Sequence, residues 1–138
     1  MIIIDENFPE SQRLILHGWR IAVRQIGQEV GRDGMQDEEI IPLLHQLSRP
    51  TFFTLDADFF HPTLCHARYC LVFLDVDQYE AAAFIRRTLR HENFNTAAKR
   101  MGHVLRVAQP GITLWRIHQA NKMQVTWGIR RSGPDRRG

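Results

Sequence analysis

The sequence predicts an α/β protein: a mostly parallel central sheet flanked by helices, with an antiparallel β extension at the C-terminus. Three observations lead there. Short β-branched or aromatic runs, Met1 to Ile4, Phe52 to Leu55 and Tyr69 to Leu74, have the continuous apolar character of strands buried on both faces. Stretches with helical periodicity lie between them, so the first half reads β-α-β-α-β-β, an order that favours parallel strands joined by right-handed crossovers. The last forty residues instead hold short β segments separated by turn dipeptides.

Taken in order, Met1 to Asp5 is a central strand that ends on an acid. Pro9 opens a helix through Leu14, Ile15 and Leu16, and Gly18 stops it. Residues 19–26 form a second strand, with Ile21 and Val23 inward and Arg20 and Arg24 outward. Residues 27–34 contain three glycines and form a loop. Asp37 starts a helix to Leu47, in which Ile40, Ile41, Leu44 and Leu47 follow the i, i+3, i+4, i+7 pattern. Pro42 fits if it falls near the first turn. The strand Thr51 to Leu55 follows Pro50, and His61-Pro62 breaks the chain before the strand Tyr69 to Leu74. An alanine-rich helix runs from Gln78 to His91 and a shorter one from Asn95 to Met101. The β segments are His103 to Val107, Ile112 to Ile117 and Met123 to Trp127, with turns at Pro110-Gly111 and Asn121-Lys122.

The 138 residues, 43% hydrophobic and 24% charged, suit one domain with a sizeable core. The domain is expected over residues 1–129. Of the 18 basic and 15 acidic residues, Arg130, Arg131, Arg136, Arg137 and Asp135 lie in residues 130–138, so the net +3 resides in a basic tail expected to be disordered. No apolar run approaches the roughly 18 residues of a membrane helix. The opening residues lack the basic lead and cleavage site of a signal peptide, and a cytoplasmic protein with no membrane association is the expectation.

The chemistry-bearing residues are acids. Asp5 closes the first strand, Asp56 and Asp58 follow the strand at Phe52–Leu55, and Asp37-Glu38-Glu39 opens a helix whose dipole favours negative charge. Ligands of open α/β sheets bind outside the carboxyl ends of the parallel strands. Carboxylates gathered there call for a hard divalent cation such as magnesium, which takes oxygen ligands together with water and phosphate. The expected chemistry is metal-assisted phosphodiester cleavage without a protein nucleophile. Each acid alone is more simply a cap or a surface group; the joint placement carries the reading.

Ile2-Ile3-Ile4-Asp5-Glu6-Asn7, Asp37-Glu38-Glu39-Ile40 and Thr54-Leu55-Asp56-Ala57-Asp58-Phe59 together resemble the PIN-like domain family (DUF5615 type), related to the VapC toxins of toxin–antitoxin systems. The resemblance covers roughly residues 1–75, and the third motif is the most specific. It implies a PIN-like fold and a Mg2+- or Mn2+-dependent endoribonuclease acting as the toxin of a toxin–antitoxin pair. RNA would be the substrate, an antitoxin protein the partner and a homodimer the assembly. Asp5, Asp37, Asp56 and Asp58 would be the catalytic and metal-binding acids, with Asp5 and Asp56 foremost; which of Asp37, Glu38 and Glu39 faces the metal stays open. The rival is a non-catalytic interaction module that retains the PIN-like fold.

Asp75 and Asp77 follow the next strand and offer a further acid, although Asp77 is better placed to cap the helix after it. His61, Cys65, His66 and Cys70 raise a zinc alternative, but their spacing is not a usual zinc pattern and Cys70 begins a buried strand. Two cysteines in a cytoplasmic chain argue against a structural disulfide. Arg86, Arg87, Arg90, Lys99, Arg100 and Arg106 are expected to flank the acids and hold phosphates. Trp19, Trp115 and Trp127 read as packing residues.

Overall fold

The computed structural model describes residues 1–128, so the basic tail and the domain end expected at residue 129 fall outside the described residues. One seven-stranded sheet organises the chain, in the order β2-β1-β3-β4-β5-β6-β7. Its strands are β1 (Ile2–Ile4), β2 (Arg24–Gln25), β3 (Thr51–Thr54), β4 (Cys70–Leu74), β5 (His103–Ala108), β6 (Gly111–Arg116) and β7 (Met123–Val125). The first five are mutually parallel, whereas β6 and β7 add antiparallel strands at one edge. The expected α/β architecture with its antiparallel extension is what the chain forms. No helix among the described residues is long and apolar enough to cross a membrane.

Successive strand residues point to opposite faces, and here both faces of the central strands are buried. Ile4, Phe53, Val72 and Leu105 pack against Leu16 of α1 (Glu10–Gly18) and against Ala81, Phe84 and Ile85 of α3 (Ala81–Arg90). Their neighbours Ile3, Phe52, Leu71 and Val104 pack against Ile40 and Leu44 of α2 (Asp37–His45). Paired burial of this kind is why these strands read as unbroken apolar runs.

Several boundaries differ from expectation for local reasons. The second strand shrinks to two residues because α1 ends in a turn: Arg20 takes φ 61° and the Ile21 amide returns to the Leu16 carbonyl at 3.0 Å. Ile21 and Val23 still pack inward, as the alternation required. Pro42 sits in the second turn of α2, and the helix start has not shifted to accommodate it. A capping box between Gln36 and Glu39 secures the first turn, although Pro42 leaves the Glu38 carbonyl without its helical N–H partner. The segment from Gln78 opens as a 3-10 turn, Gln78–Glu80, before α3 begins. The following piece condenses to the single turn α4 (Ala97–Arg100), capped by Thr96.

Leu44 is fully buried and is a main anchor of α2 on the sheet. Leu44→Ala should therefore cost about 2–5 kcal/mol of stability. A fall in the urea midpoint with an unchanged m-value is the expected measurement.

Candidate metal centre

Asp5 follows β1 and Asp56 follows β3, and these strands are paired in parallel with Ile4 opposite Phe53. The two acids therefore emerge side by side at the carboxyl edge of the sheet. Thr54, the last residue of β3 and wholly buried, links them. Its hydroxyl donates to Asp5 Oδ2 at 2.6 Å, and its oxygen accepts the Asp56 amide at 3.1 Å. The Asn7 amide donates to Asp5 Oδ1 at 3.1 Å, so both Asp5 oxygens already have protein donors.

Past Asp56 the chain folds into the 3-10 turn Ala57–Phe59, with the Asp56 side chain accepting the Asp58 amide at 2.9 Å. This turn brings the Asp58 carboxylate alongside that of Asp56. The third acid comes from the opposite side of the cleft. The Gly34 amide donates to the Glu6 carboxylate at 2.8 Å, and the buried Gln25 amide donates to the Asp5 and Glu6 carbonyls at 3.2 and 3.3 Å. These bonds tie the loop before α2 to the exit of β1 and set the α2 N-terminus above the sheet edge. Asp37 is the residue delivered there.

Among the described residues, Asp37, Asp56 and Asp58 form the one group of three His, Cys, Asp or Glu side chains whose ligand atoms lie within 4.8 Å of one another. Asp5 stands one step back, lining the same cavity of about 110 Å³ with Asp37, Thr54, Asp56 and Phe59. Of the three adjoining acids in α2, Glu39 is turned away: it accepts the Gln36 amide and pairs with Arg32. Glu38 is exposed and does not join the group. The four acids expected from the sequence are thus all at this edge, three sharing a possible ion and Asp5 braced behind them. Thr54 and Gln25 are the residues sequence reasoning passed over. The signal for Thr54 was a polar residue between the apolar Phe53 and Leu55; Gln25, beside Arg24, carried no such signal.

Electrostatics follow from crowding. Burial first, and then the Asp56 carboxylate, hold Asp5 above its ordinary pKa against the opposing hydrogen bonds from Thr54 and Asn7. Asp37 is raised by burial and then by Asp56, Asp58 and Glu38. Three hard oxygen donors from two segments, the α2 start and the β3 exit, mutually repelling and open to a cleft, have the donor chemistry that a hard divalent cation requires. The cluster could hold such an ion.

Other expected contributors lie elsewhere. Arg86 covers the Trp19 ring at 3.6 Å and Arg87 covers Trp127 at 4.2 Å, both on the α3 side of the molecule. Lys99 donates to the Glu92 carbonyl. Arg100 is buried, with Nε donating to Thr51 Oγ1 at 2.8 Å and Nη1 to the Phe94 carbonyl at 2.9 Å. Arg106 pairs with Asp75, and neither it nor Arg90 lines the acidic cavity. The expectation of a basic rim is corrected, because none of these six residues lines the acidic cavity. Helix α3 carries Arg86, Arg87 and Arg90 on the far face of the sheet, Lys99 and Arg100 are engaged by Glu92, Thr51 and Phe94, and Arg106, on β5, stands away from the cavity paired with Asp75. Asp75 is engaged by Arg106, and Asp77 caps the turn at Tyr79 with a 3.0 Å bond.

The zinc alternative is likewise not assembled. Cys65 packs in the core on the α2 side, whereas Cys70 lies in the core under α1 and α3. Burial pushes the Cys70 thiol up to about 12, and both cysteines are free. His61 and His66 each accept a local backbone N–H, from Thr63 and Arg68. Trp127 donates to the Ala108 carbonyl at 2.9 Å and packs on Phe84, and Trp115 packs against the α2-side core. No protein-family model, no curated protein and no solved structure matches the chain.

The raised Asp37 carboxyl gives a pH signature. A carboxyl whose folded pKa exceeds its unfolded value adds stability only while protonated, and that contribution is lost as pH rises through the folded pKa. In chelator, Asp37→Asn should accordingly be more stable than wild type above the ordinary carboxylate range. The difference should shrink to nothing below it, as followed by urea midpoints across pH.

Proposed function

We propose that this protein is a metal-dependent endoribonuclease of PIN-like type, using Mg2+ or Mn2+, and that it serves as the toxin component of a toxin–antitoxin pair. The observation that carries the reading is the convergence of Asp37, Asp56 and Asp58, from a helix start and a strand exit, on one point at the carboxyl edge of a parallel sheet. The three motifs that resemble the PIN-like family supply exactly those acids together with Asp5, which adds support from the sequence side. When bound, a divalent ion would supply charge neutralisation at a phosphodiester and activation of water. The chain's own part is to hold the acids. Thr54 sets the Asp5–Asp56 pair, the Asp56–Asp58 turn fixes the second and third carboxylates, and the Glu6–Gly34 bond holds the loop that presents Asp37.

A second reading, a non-catalytic interaction module with the same fold, draws on one observation: among the described residues, no Lys or Arg lines the acidic cavity. Phosphate binding in that cavity would then depend on the ion alone. The two readings part on a single comparison.

Wild type should cleave a mixed RNA substrate when Mn2+ is added, and Asp56→Asn should lose about a hundredfold or more, the scale of removing preorganised charge stabilisation. Mn2+ should also raise the melting temperature of wild type with concentration, by about 2.7 kcal/mol of added stability at a hundredfold excess over Kd. Asp56→Asn should lack that rise. Metal-dependent stabilisation without cleavage would favour the interaction module.

A further inference from the structure

The sheet face that carries α2 is covered only in part. Its core ends with Val104, the last β5 residue to pack with Ile40 and Leu44. Beyond it, the same face carries one row of directly paired residues across five strands: Thr54 opposite Phe73, Phe73 opposite Arg106, Arg106 opposite Thr113, and Thr113 opposite Gln124, with Thr54 and Thr113 buried and Phe73, Arg106 and Gln124 reaching solvent. Residues in register share a face, and neighbouring strands lie about 4.8 Å apart, so the row runs roughly 19 Å from Thr54 to Gln124. It starts at the residue that bonds Asp5 and the Asp56 amide.

The chemistry of this row is unlike that of the rows beside it. Phe73 is partly exposed and belongs to neither core cluster, although Leu71 and Val72 before it are fully buried. Arg106 is partly exposed and directs Nε and Nη2 to Asp75. That leaves the Nη1 edge with no hydrogen-bond partner among the described residues. The Arg106–Asp75 pair is solvated, with side chains 40% and 44% exposed, so it adds little stability of its own. Arg106, Thr113 and Gln124 then line an open trough of about 410 Å³ at the far end of the row.

We infer that this row is the track for a single-stranded RNA entering the acidic cleft, with a base stacked on Phe73 and a phosphate held by Arg106. The inference rests on the nuclease reading for the identity of the ligand. An aromatic ring on an open sheet face offers a base-stacking platform, and single strands, unlike duplexes, have bases free to use it. Continuity with the acids sets the direction: the row ends at Thr54, buried beneath the acidic edge, so a strand laid over Phe73 is led to the acids above it. Arg106 supplies on this face the phosphate contact that the acidic cavity lacks.

The test separates binding from cleavage. Fluorescence anisotropy with a labelled single-stranded RNA oligomer, in the Asp56→Asn background with Mn2+ present, reports affinity without turnover. Phe73→Leu should weaken binding about fivefold or more, the scale of one lost base stack. Arg106→Gln should also weaken it and reduce the salt slope by about one, as for one lost phosphate contact, whereas Arg106→Lys keeps the slope. Melting curves without RNA identify any variant that fails to fold, and Arg106→Gln alters only a solvated pair, so the inference stays testable if Phe73→Leu unfolds. Unchanged affinity in both variants, or duplex RNA bound as tightly as single strands, would overturn the track. Failure of the nuclease reading is distinct: wild type would not cleave RNA at all, whatever these affinities show.

Discussion

The hydroxyl of Thr54 is the interaction on which the acidic edge depends. It donates to the Asp5 carboxylate and accepts from the Asp56 amide, joining the exits of β1 and β3 through one buried atom. A wholly buried hydroxyl is tolerable only when paired, since an unsatisfied polar group in a protein interior costs about 1–3 kcal/mol. Here its donor and an acceptor site are both used. The same bond opposes the burial that raises Asp5, so the group that fixes the carboxylate also makes its charge easier to bear. Thr54 in turn is positioned by the pairing of β3 between β1 and β4.

Presenting Asp37 needs a second device, because α2 must start above the sheet rather than beside it. The chain between β2 and α2 turns with Gly27, Gly31 and Gly34 at positive φ. At Gly27 a Cβ would meet Asp33 Oδ1 at 2.7 Å as well as requiring φ 88°, so both space and backbone conformation favour glycine. Ile26 and Val30 bury their side chains under the loop, and Glu6 holds its far end through Gly34. The acidic cluster is thus supported by hydrogen bonds from uncharged donors and by apolar packing rather than by counter-charges. Its like charges remain uncompensated by the protein, which is a local conflict of the kind that functional sites retain while the rest of the fold offsets it.

Much of this could be read from the sequence, and the exceptions have specific causes. The doubly buried strands announce themselves by composition, and acids at their ends mark where apolar runs stop. Which acid of Asp37, Glu38 and Glu39 enters the cleft could not be read, because it depends on helix phase and on Gln36 and Arg32 engaging Glu39. The basic residues of α3 misled because sequence order says nothing of which sheet face a crossover helix covers; Arg86 and Arg87 instead lie over Trp19 and Trp127. His61, Cys65, His66 and Cys70 are close in sequence, yet the strand pleat and the preceding loop send the two cysteines to opposite cores. Strand lengths shortened wherever a turn needed the terminal residues, as after α1.

The antiparallel extension follows a different rule from the central strands, and that difference shapes the surface beside the acids. In β5, Val104 is buried against the α2 side, but Arg106, two residues on and on the same face, is not. In β6, one face retains Ile112 and Leu114 in the core, while Thr113, on the face opposite, is a buried polar residue in the Arg106 register. Alternation of polar and apolar residues is expected of antiparallel strands solvated on one face. One helix, α2, is too narrow to cover seven strands, so the fold must leave part of this face to water. The chain brings the Phe73 ring, the Arg106 guanidinium and the Gln124 amide to solvent there in one register, whose inner end is the buried Thr54. Coverage by α2 and exposure of this row are therefore two consequences of one geometry: the helix that delivers Asp37 to the acids leaves open the surface that leads to them.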